Sequence, residues 1–303
     1  MFNTALTLIC PDGGGWPDEV AAEIAPVIKK FSQSEVQCVT LGDDAADILC
    51  TLNINEQDRQ ELLDQVWGKI DGRPFDAGFL PLKDRAKRLL IADMDSTIIQ
   101  QECIDELADF VGKRSVIADM TERAMRGELD FNGALAGRVK MLKGLPIEKL
   151  EEAYRERISL TPGARTLVQT MRKRGAYTAL VSGGFTFFTE RVAEACGFHI
   201  HQANTLLVEN RTLTGEVGEP ILGRAAKEEA LRRFAELENI PLAQTLAVGD
   251  GANDLSMLGA AGLGVAFHAK PAVAQAADVS IAHGDLTTLL YLQGIPQSEF
   301  VTD

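Results

Sequence analysis

Leu89-Leu90-Ile91-Ala92-Asp93-Met94-Asp95-Ser96-Thr97 is an apolar run that stops at two carboxylates spaced i,i+2 and then two hydroxyls. A continuous apolar run reads as a buried strand, and open α/β sheets place their chemistry just beyond the carboxyl ends of such strands. Along a strand, Asp93 and Asp95 would point to opposite sides, so the turn after Ala92 has to bring them to one pocket. An oxygen-only cluster with no Cys or His beside it suits a hard cation such as Mg2+. The plainer alternative is a loop start, with Ser96 or Thr97 capping a helix whose face carries Ile98, Cys103 and Leu107.

Two further apolar runs end in the same way. Tyr177-Thr178-Ala179-Leu180-Val181 leads into Ser182-Gly183-Gly184, where a hydroxyl can donate to a phosphoryl oxygen and the glycines let backbone N–H groups approach the same anion. A helix beginning near Phe185 would aim its positive end there. Leu246-Ala247-Val248-Gly249 leads into Asp250-Gly251-Ala252-Asn253-Asp254, which places Asp250 to bind a metal and Asn253 to donate to a phosphate without adding charge. Asp254 could hold the loop, a metal-bound water or the metal itself. Taken singly, both stretches are also ordinary Gly- and Asx-rich turns. Between them, Gly223 to Leu231 opens an amphipathic helix whose apolar side carries Ala226, Ala230, Leu231 and Phe234. Lys227 in that helix would be a solvated residue on local pattern alone, but with three strand-end clusters a phosphoryl group and two or three carboxylates at one metal need a cation to balance them.

In this order, Asp93-Met94-Asp95-Ser96-Thr97, Ser182-Gly183-Gly184, Lys227 and Gly249 to Asp254 resemble the four motifs of the haloacid dehalogenase superfamily, and within it the phosphoserine phosphatase group. The resemblance implies a three-layer Rossmann-like α/β core. It implies Asp93 as nucleophile, Asp95 as general acid and base, and Lys227 as the charge that neutralises the phosphate. It also implies Mg2+ held by Asp93, the backbone carbonyl of Asp95 and Asp250, with Ser182, Gly183 and Asn253 on the phosphoryl oxygens and Asp254 supporting the loop. The implied reaction is Mg2+-dependent hydrolysis of O-phospho-L-serine through an aspartyl phosphate, the last step of serine biosynthesis. Two alternatives stay open: a phosphatase or phosphotransferase for another small phosphomonoester, and an amino-acid-responsive regulatory protein without catalysis.

The stretch from about 103 to 160 reads as a small helical cap inserted after the first motif, with Ile104, Leu107, Ala108 and Val111 at helical spacing and further segments near 115–127, 133–142 and 147–158. Thr161-Pro162-Gly163 marks the return to the core. By the same resemblance Glu102 receives the substrate ammonium, Arg138 clamps its carboxylate, and Met125 and Phe131 close over the ligand, although Met and Phe at such positions are as readily plain packing. Asn210-Arg211 falls between two β-prone segments and suggests a hairpin beside the core sheet. Phe198-His199-Ile200-His201 reads as strand surface and not as a zinc site.

Asp71-Gly72-Arg73-Pro74 and Pro81 to Arg85 surround a short apolar patch that reads as a connector, dividing the chain into residues 1–80 and 81–303. Upstream, Thr4–Cys10, 35–41 and 46–53 read as strands and 18–32 and 56–69 as helices, a β-α-β-β-α order resembling a small α+β, ACT-like regulatory or docking domain. Pro11 to Pro17, with Trp16, would be its first loop. A net charge of −14 disfavours nucleic acid and anionic membranes as partners, which leaves a small phosphorylated substrate and leaves a homodimer open. No stretch is long and apolar enough to span a bilayer, the N-terminus lacks a secretory pattern, and five scattered cysteines form no disulfide framework, so the expected location is the cytoplasm.

Overall fold

The computed structural model describes residues 2–11, 17–125 and 128–302, without the side chains of Pro17, Asp18, Glu56, Met125 and Phe131. The chain begins with β1 (Thr4–Ile9), α1 (Pro17–Phe31), β2 (Gln37–Gly42), β3 (Ala45–Cys50), α2 (Glu56–Ile70) and β4 (Asp76–Pro81). These strands form an antiparallel sheet in the order β2-β3-β1-β4. Alternation along the strands gives the sheet two buried faces. Leu6, Leu8, Ile48 and Cys50 pack under α1 and α2 with Ile24, Ile28, Leu62 and Val66, while Ile9 and Ala45 join the core of the larger unit. The stretch read as a connector therefore contains a strand. Asp76-Ala77-Gly78-Phe79-Leu80-Pro81 pairs with β1 along its whole length, and long-range pairing outweighs the loop-like flanks. The loop with Trp16 lies outside the described residues.

The larger unit opens with β5 (Leu89–Ala92), followed by the cap helices α3 (Cys103–Asp109), α4 (Arg114–Met125), α5 (Phe131–Met141) and α6 (Glu148–Arg157). The core resumes with α7 (Ala164–Lys173), β6 (Tyr177–Phe185), α8 (Thr186–Cys196) and β7 (Ile200–Asn204), and a hairpin follows, β8 (Leu206–Glu209) and β9 (Thr212–Val217). The chain ends with α9 (Arg224–Leu237), β10 (Thr245–Gly249), α10 (Leu255–Ala260), β11 (Gly264–Phe267), α11 (Pro271–Ala276), β12 (Val279–Ile281) and α12 (Thr288–Leu292). The six core strands are parallel and ordered β12-β11-β10-β5-β6-β7. β5, first in sequence, thus sits centrally, and the chain winds outward from it in both directions. That reversal opens a crevice at the carboxyl ends of β5, β6 and β10.

Each face of this sheet is covered by helices whose apolar stripes are written in their sequences. Leu89, Ile91, Ala179 and Ala247 face Ala230, Leu231 and Phe234 of α9 and Met257 and Leu258 of α10. Leu90, Ala92, Leu180 and Val248 face the other way, toward Leu167, Val168 and Met171 of α7 and the buried residues of α8 and α12. The cap leaves and rejoins the core through two antiparallel connecting segments, bridged at Ile99 and Leu160. The hairpin departs from expectation: it turns at Asn210 and Arg211, both with positive φ, but it pairs with the cap segment at Pro146 and Thr212 instead of lying beside the core sheet. Leu213 and Arg211 supply the backbone partners of Gly144, Leu145 and Ile147, which run past the hairpin as an additional strand edge. Among the described residues no helix is long and apolar enough to cross a membrane.

Candidate active site

The sheet ladder continues one residue past β5, where Asp93 N–H donates to the carbonyl of Val248. The chain then makes one wide turn, closed by Ile99 N–H on the carbonyl of Met94 at 3.0 Å, with Ser96 in the left-handed region at φ 55°. This turn brings both aspartates into one pocket. Asp93 Oδ1 accepts from the following N–H of Met94 at 2.7 Å, leaving Oδ2 to face the crevice. Asp95 Oδ1 accepts from Cys103 N–H at 2.8 Å, at the start of α3, and Oδ2 accepts from Ser182 Oγ at 3.1 Å. Burial raises the Asp95 carboxyl above its ordinary range against those hydrogen bonds, which favours a proton on it and suits a group that must donate one.

Ser182 ends the buried part of β6, and its hydroxyl also accepts from Gly184 N–H at 2.8 Å. A side chain at Gly184 has no room, since a Cβ there would lie 2.6 Å from Asp95 Oδ2. The Gly183 carbonyl is held by Nδ2 of Asn204, a fully buried residue at the end of β7 whose Oδ1 accepts from Leu222 N–H. Asn204 is not among the residues the sequence singles out: β7 reads Ile-His-Gln-Ala-Asn, with no apolar run to mark its carboxyl end.

At the end of β10, Asp250 accepts from Thr97 Oγ1 at 3.2 Å, and Asp254 is completely buried and accepts from Gly251 N–H at 3.0 Å. A Cβ on Gly249 would lie 2.4 Å from the Asp254 carboxyl carbon, so this approach also depends on glycine. Lys227 lies between the motifs, its Nζ 2.6 Å from Asp93 Oδ2 and 2.6 Å from Asp254 Oδ1. It occupies the buried stripe of α9 with Ala230, Leu231 and Phe234, where local pattern alone predicts a solvated residue. Burial works to lower the ammonium pKa, but the two carboxylates outweigh it and hold the group above its ordinary value.

Asp93, Asp250 and Asp254 each bring a carboxylate oxygen within 4.8 Å of the others. Burial and mutual repulsion raise Asp93 well above the carboxylate range and push Asp250 up to about 7. One lysine does not balance this group together with Asp95. On the same loop, Asn253 Oδ1 is buried without a hydrogen-bond partner among the described residues. A charge deficit among oxygen-only donors fits a divalent cation of the hard class.

The cap closes the other side of the pocket with Ile104, Thr121, Leu135 and Arg138. Glu102, half-buried just before α3, accepts from Ser96 Oγ at 2.6 Å, and burial holds its carboxyl well above the ordinary range. Arg138 is buried yet has no carboxylate within ion-pair distance among the described residues. Its bonds are to neutral acceptors, from Nε to the Ala134 carbonyl and from Nη1 to Thr121 Oγ1. Asp93, Asp95, Glu102, Arg138, Ser182, Gly183 and Asn253 thus line one cavity. The side chains of Met125 and Phe131 lie outside the described residues. His199 stacks on Tyr177 and His201 pairs with Thr189, both away from this cluster.

The family model for haloacid dehalogenase-like hydrolases matches residues 90–259, the span that contains the three strand-end motifs and Lys227. The chain belongs to the haloacid dehalogenase-like hydrolases. A relative in Streptomyces coelicolor, described as a phosphoserine phosphatase, is 48% identical over 218 residues, covering 72% of this chain and 53% of that protein. The chain therefore spans about half the length of that curated relative. A solved structure of a phospho-aspartyl intermediate analogue of phosphoserine phosphatase superposes with a TM-score of 0.65 at 42% identity, over 68% of this chain and 98% of the other. A hydrolase of this family from Salmonella enterica serovar Typhi matches 95% of this chain and 97% of its own at 30% identity with a TM-score of 0.81. That second match takes in the N-terminal sheet as well as the family core.

Proposed function

We propose that the chain hydrolyses O-phospho-L-serine to L-serine and phosphate, with Mg2+ as the cation. The observation that carries this reading is a single cavity lined by Asp93, Asp95 and Ser182 on the core side and by Glu102 and an unneutralised Arg138 on the cap side. A ligand complementary to it bears a phosphoryl group at one end and an ammonium and a carboxylate at the other. The similarity to proteins described as phosphoserine phosphatases supports the same substrate.

In this mechanism a carboxylate oxygen of Asp93 attacks phosphorus in line, and the P–O bond to the seryl oxygen breaks as Asp95 gives that oxygen its proton. Asp95 then takes a proton from the water that attacks the aspartyl phosphate, which releases phosphate and restores both carboxyl groups. Lys227, Ser182, the backbone N–H of Gly183 and Asn253 hold the phosphoryl oxygens, with Asp254 keeping Lys227 in place. Asp93, Asp250 and the backbone carbonyl of Asp95 would hold the cation, which when bound neutralises charge on the phosphoryl oxygens. Residues 1–80 act in this reading as a docking unit; the buried polar contacts of Asp76 with Gly284 and of Asp47 with Arg85 support that role.

The test is phosphate release, with Mg2+ and after its removal, over phosphoserine, phosphothreonine, phosphoethanolamine and sugar phosphates. The expected result is a kcat/KM for phosphoserine roughly a hundredfold above that for phosphoethanolamine, and its loss on chelation. A flat profile, or preference for a sugar phosphate, would replace the substrate while keeping the phosphoryl chemistry.

A further inference from the structure

Three cap helices each send one polar side chain to the same spot: Asp105 from α3, Thr121 from α4 and Arg138 from α5. Thr121 is buried, and its Oγ1 lies 2.8 Å from Arg138 Nη1, 3.0 Å from the Ile117 carbonyl and 3.2 Å from Asp105 Oδ1. The direction of each bond follows from chemistry. A guanidinium only donates, so Nη1 must give its hydrogen to the hydroxyl oxygen, and the single hydroxyl proton must point to Ile117 or Asp105. Asp105 therefore stands one hydroxyl away from Arg138. Had the carboxylate reached the guanidinium directly, it would have occupied the fork and neutralised it; with Thr121 interposed, Arg138 is fixed in direction and keeps its charge for a ligand.

We propose that Thr121 is a positioning residue for substrate recognition, holding the Arg138 guanidinium aimed into the pocket through a neutral contact whose polarity Ile117 and Asp105 set. The inference rests on the reading of Arg138 as the group that receives the substrate carboxylate. It names a residue outside the four core motifs, and it explains how a buried arginine stays oriented without an ion-pair partner among the described residues. Ala134, the other acceptor, lies on Arg138's own helix and cannot alone fix how far the side chain reaches toward the pocket.

The test compares full-length wild type, Thr121→Val and Thr121→Ser with Mg2+ on phosphoserine and on phosphoethanolamine, which lacks the carboxylate. Valine keeps the volume and removes the hydroxyl. The expected result is a KM for phosphoserine raised about tenfold, the loss of one hydrogen bond's worth of orientation, with kcat changed far less. Phosphoethanolamine turnover should change much less than phosphoserine turnover, and serine should restore most of the phosphoserine KM. Equal losses on both substrates, or no rise in KM for phosphoserine, would overturn the proposal. Should the valine variant fail to fold, Asp105→Asn carries the same test, with a smaller KM rise confined to phosphoserine expected and an unchanged KM contradicting it. A wild type without preference for phosphoserine over phosphoethanolamine would overturn the substrate reading, and this inference with it.

Discussion

The carboxylate of Asp76, at the first residue of β4, accepts the backbone N–H of Gly284 at 2.6 Å. The same carboxylate takes the N–H groups of Ala282 and His283, so one buried side chain of the N-terminal sheet satisfies three consecutive donors of the loop that follows β12. Nearby, Arg85 donates to Asp47 and to the carbonyls of Tyr291 and Leu292, closing a second buried polar link across the same boundary. Unmet donors or charges here would stay desolvated, so the two sheets are held together by polar satisfaction as much as by apolar contact.

Asp76→Asn therefore tests the docking of the two units. The amide oxygen can still accept, but its NH2 faces donors, and the expected loss is about 1–3 kcal/mol of unfolding free energy. Urea denaturation followed by far-UV circular dichroism measures it, and an unchanged midpoint would mean that the loop finds other partners.

Gly184→Ala puts a methyl carbon where only 2.6 Å separates it from Asp95 Oδ2. The buried carboxyl has to rotate or the strand end has to shift, and misplacement on the order of 1 Å is worth roughly a hundredfold in turnover. The expected variant is folded and slow; steady-state kinetics beside a thermal melt distinguish this from general destabilisation.

Asp93→Asn removes the attacking oxygen's charge while keeping the shape of the turn. Turnover should fall by about a thousandfold or more. Rapid acid quench of the wild type with labelled substrate should trap an acid-stable, hydroxylamine-labile phosphoryl group that the variant lacks. A phosphoryl group found on Ser96 instead would make the hydroxyl the nucleophile.

The carboxylate cluster also sets a pH dependence. Burial and repulsion raise the folded-state pKa of Asp93, and of Asp250 to about 7, whereas an unfolded aspartate titrates near 4. The folded chain therefore binds more protons than the unfolded chain between about pH 4 and about pH 7, and without a cation it loses stability as pH rises through that window. A cation that binds the deprotonated cluster should raise Tm more at about pH 7.5 than at about pH 5.5, where protons compete. Melts with chelator and with saturating Mg2+ measure this, and an equal shift at both values would place the cation elsewhere.

Much of the core is legible in the sequence alone, because its chemistry sits at the ends of apolar runs. Leu89–Ala92, Leu180–Val181 and Leu246–Val248 are buried on both faces, and a strand of that kind has to end before it can expose Asp93, Ser182 or Asp250. The cap helices were equally readable from their spacing. β4 was not: its glycine and terminal proline look like a loop, and its strand character comes from pairing with β1 and from packing Gly78 under Leu292, contacts more than sixty residues away in sequence. The hairpin's partner was hidden for the same reason, since Asn210-Arg211 specifies a turn but nothing local says that Thr212 meets Pro146.

The sequence by itself determined which residues could do the chemistry: the carboxylates, hydroxyl, glycines and lysine at strand and helix positions set by a period of two or 3.6. The tertiary structure alone decided which of them meet. It put Lys227 between Asp93 and Asp254, Thr121 between Arg138 and Asp105, and Asp76 on the loop after β12. Periodicity is a local property that each segment carries with it, whereas a buried polar contact exists only when the fold brings two distant segments together and leaves no water to replace either partner.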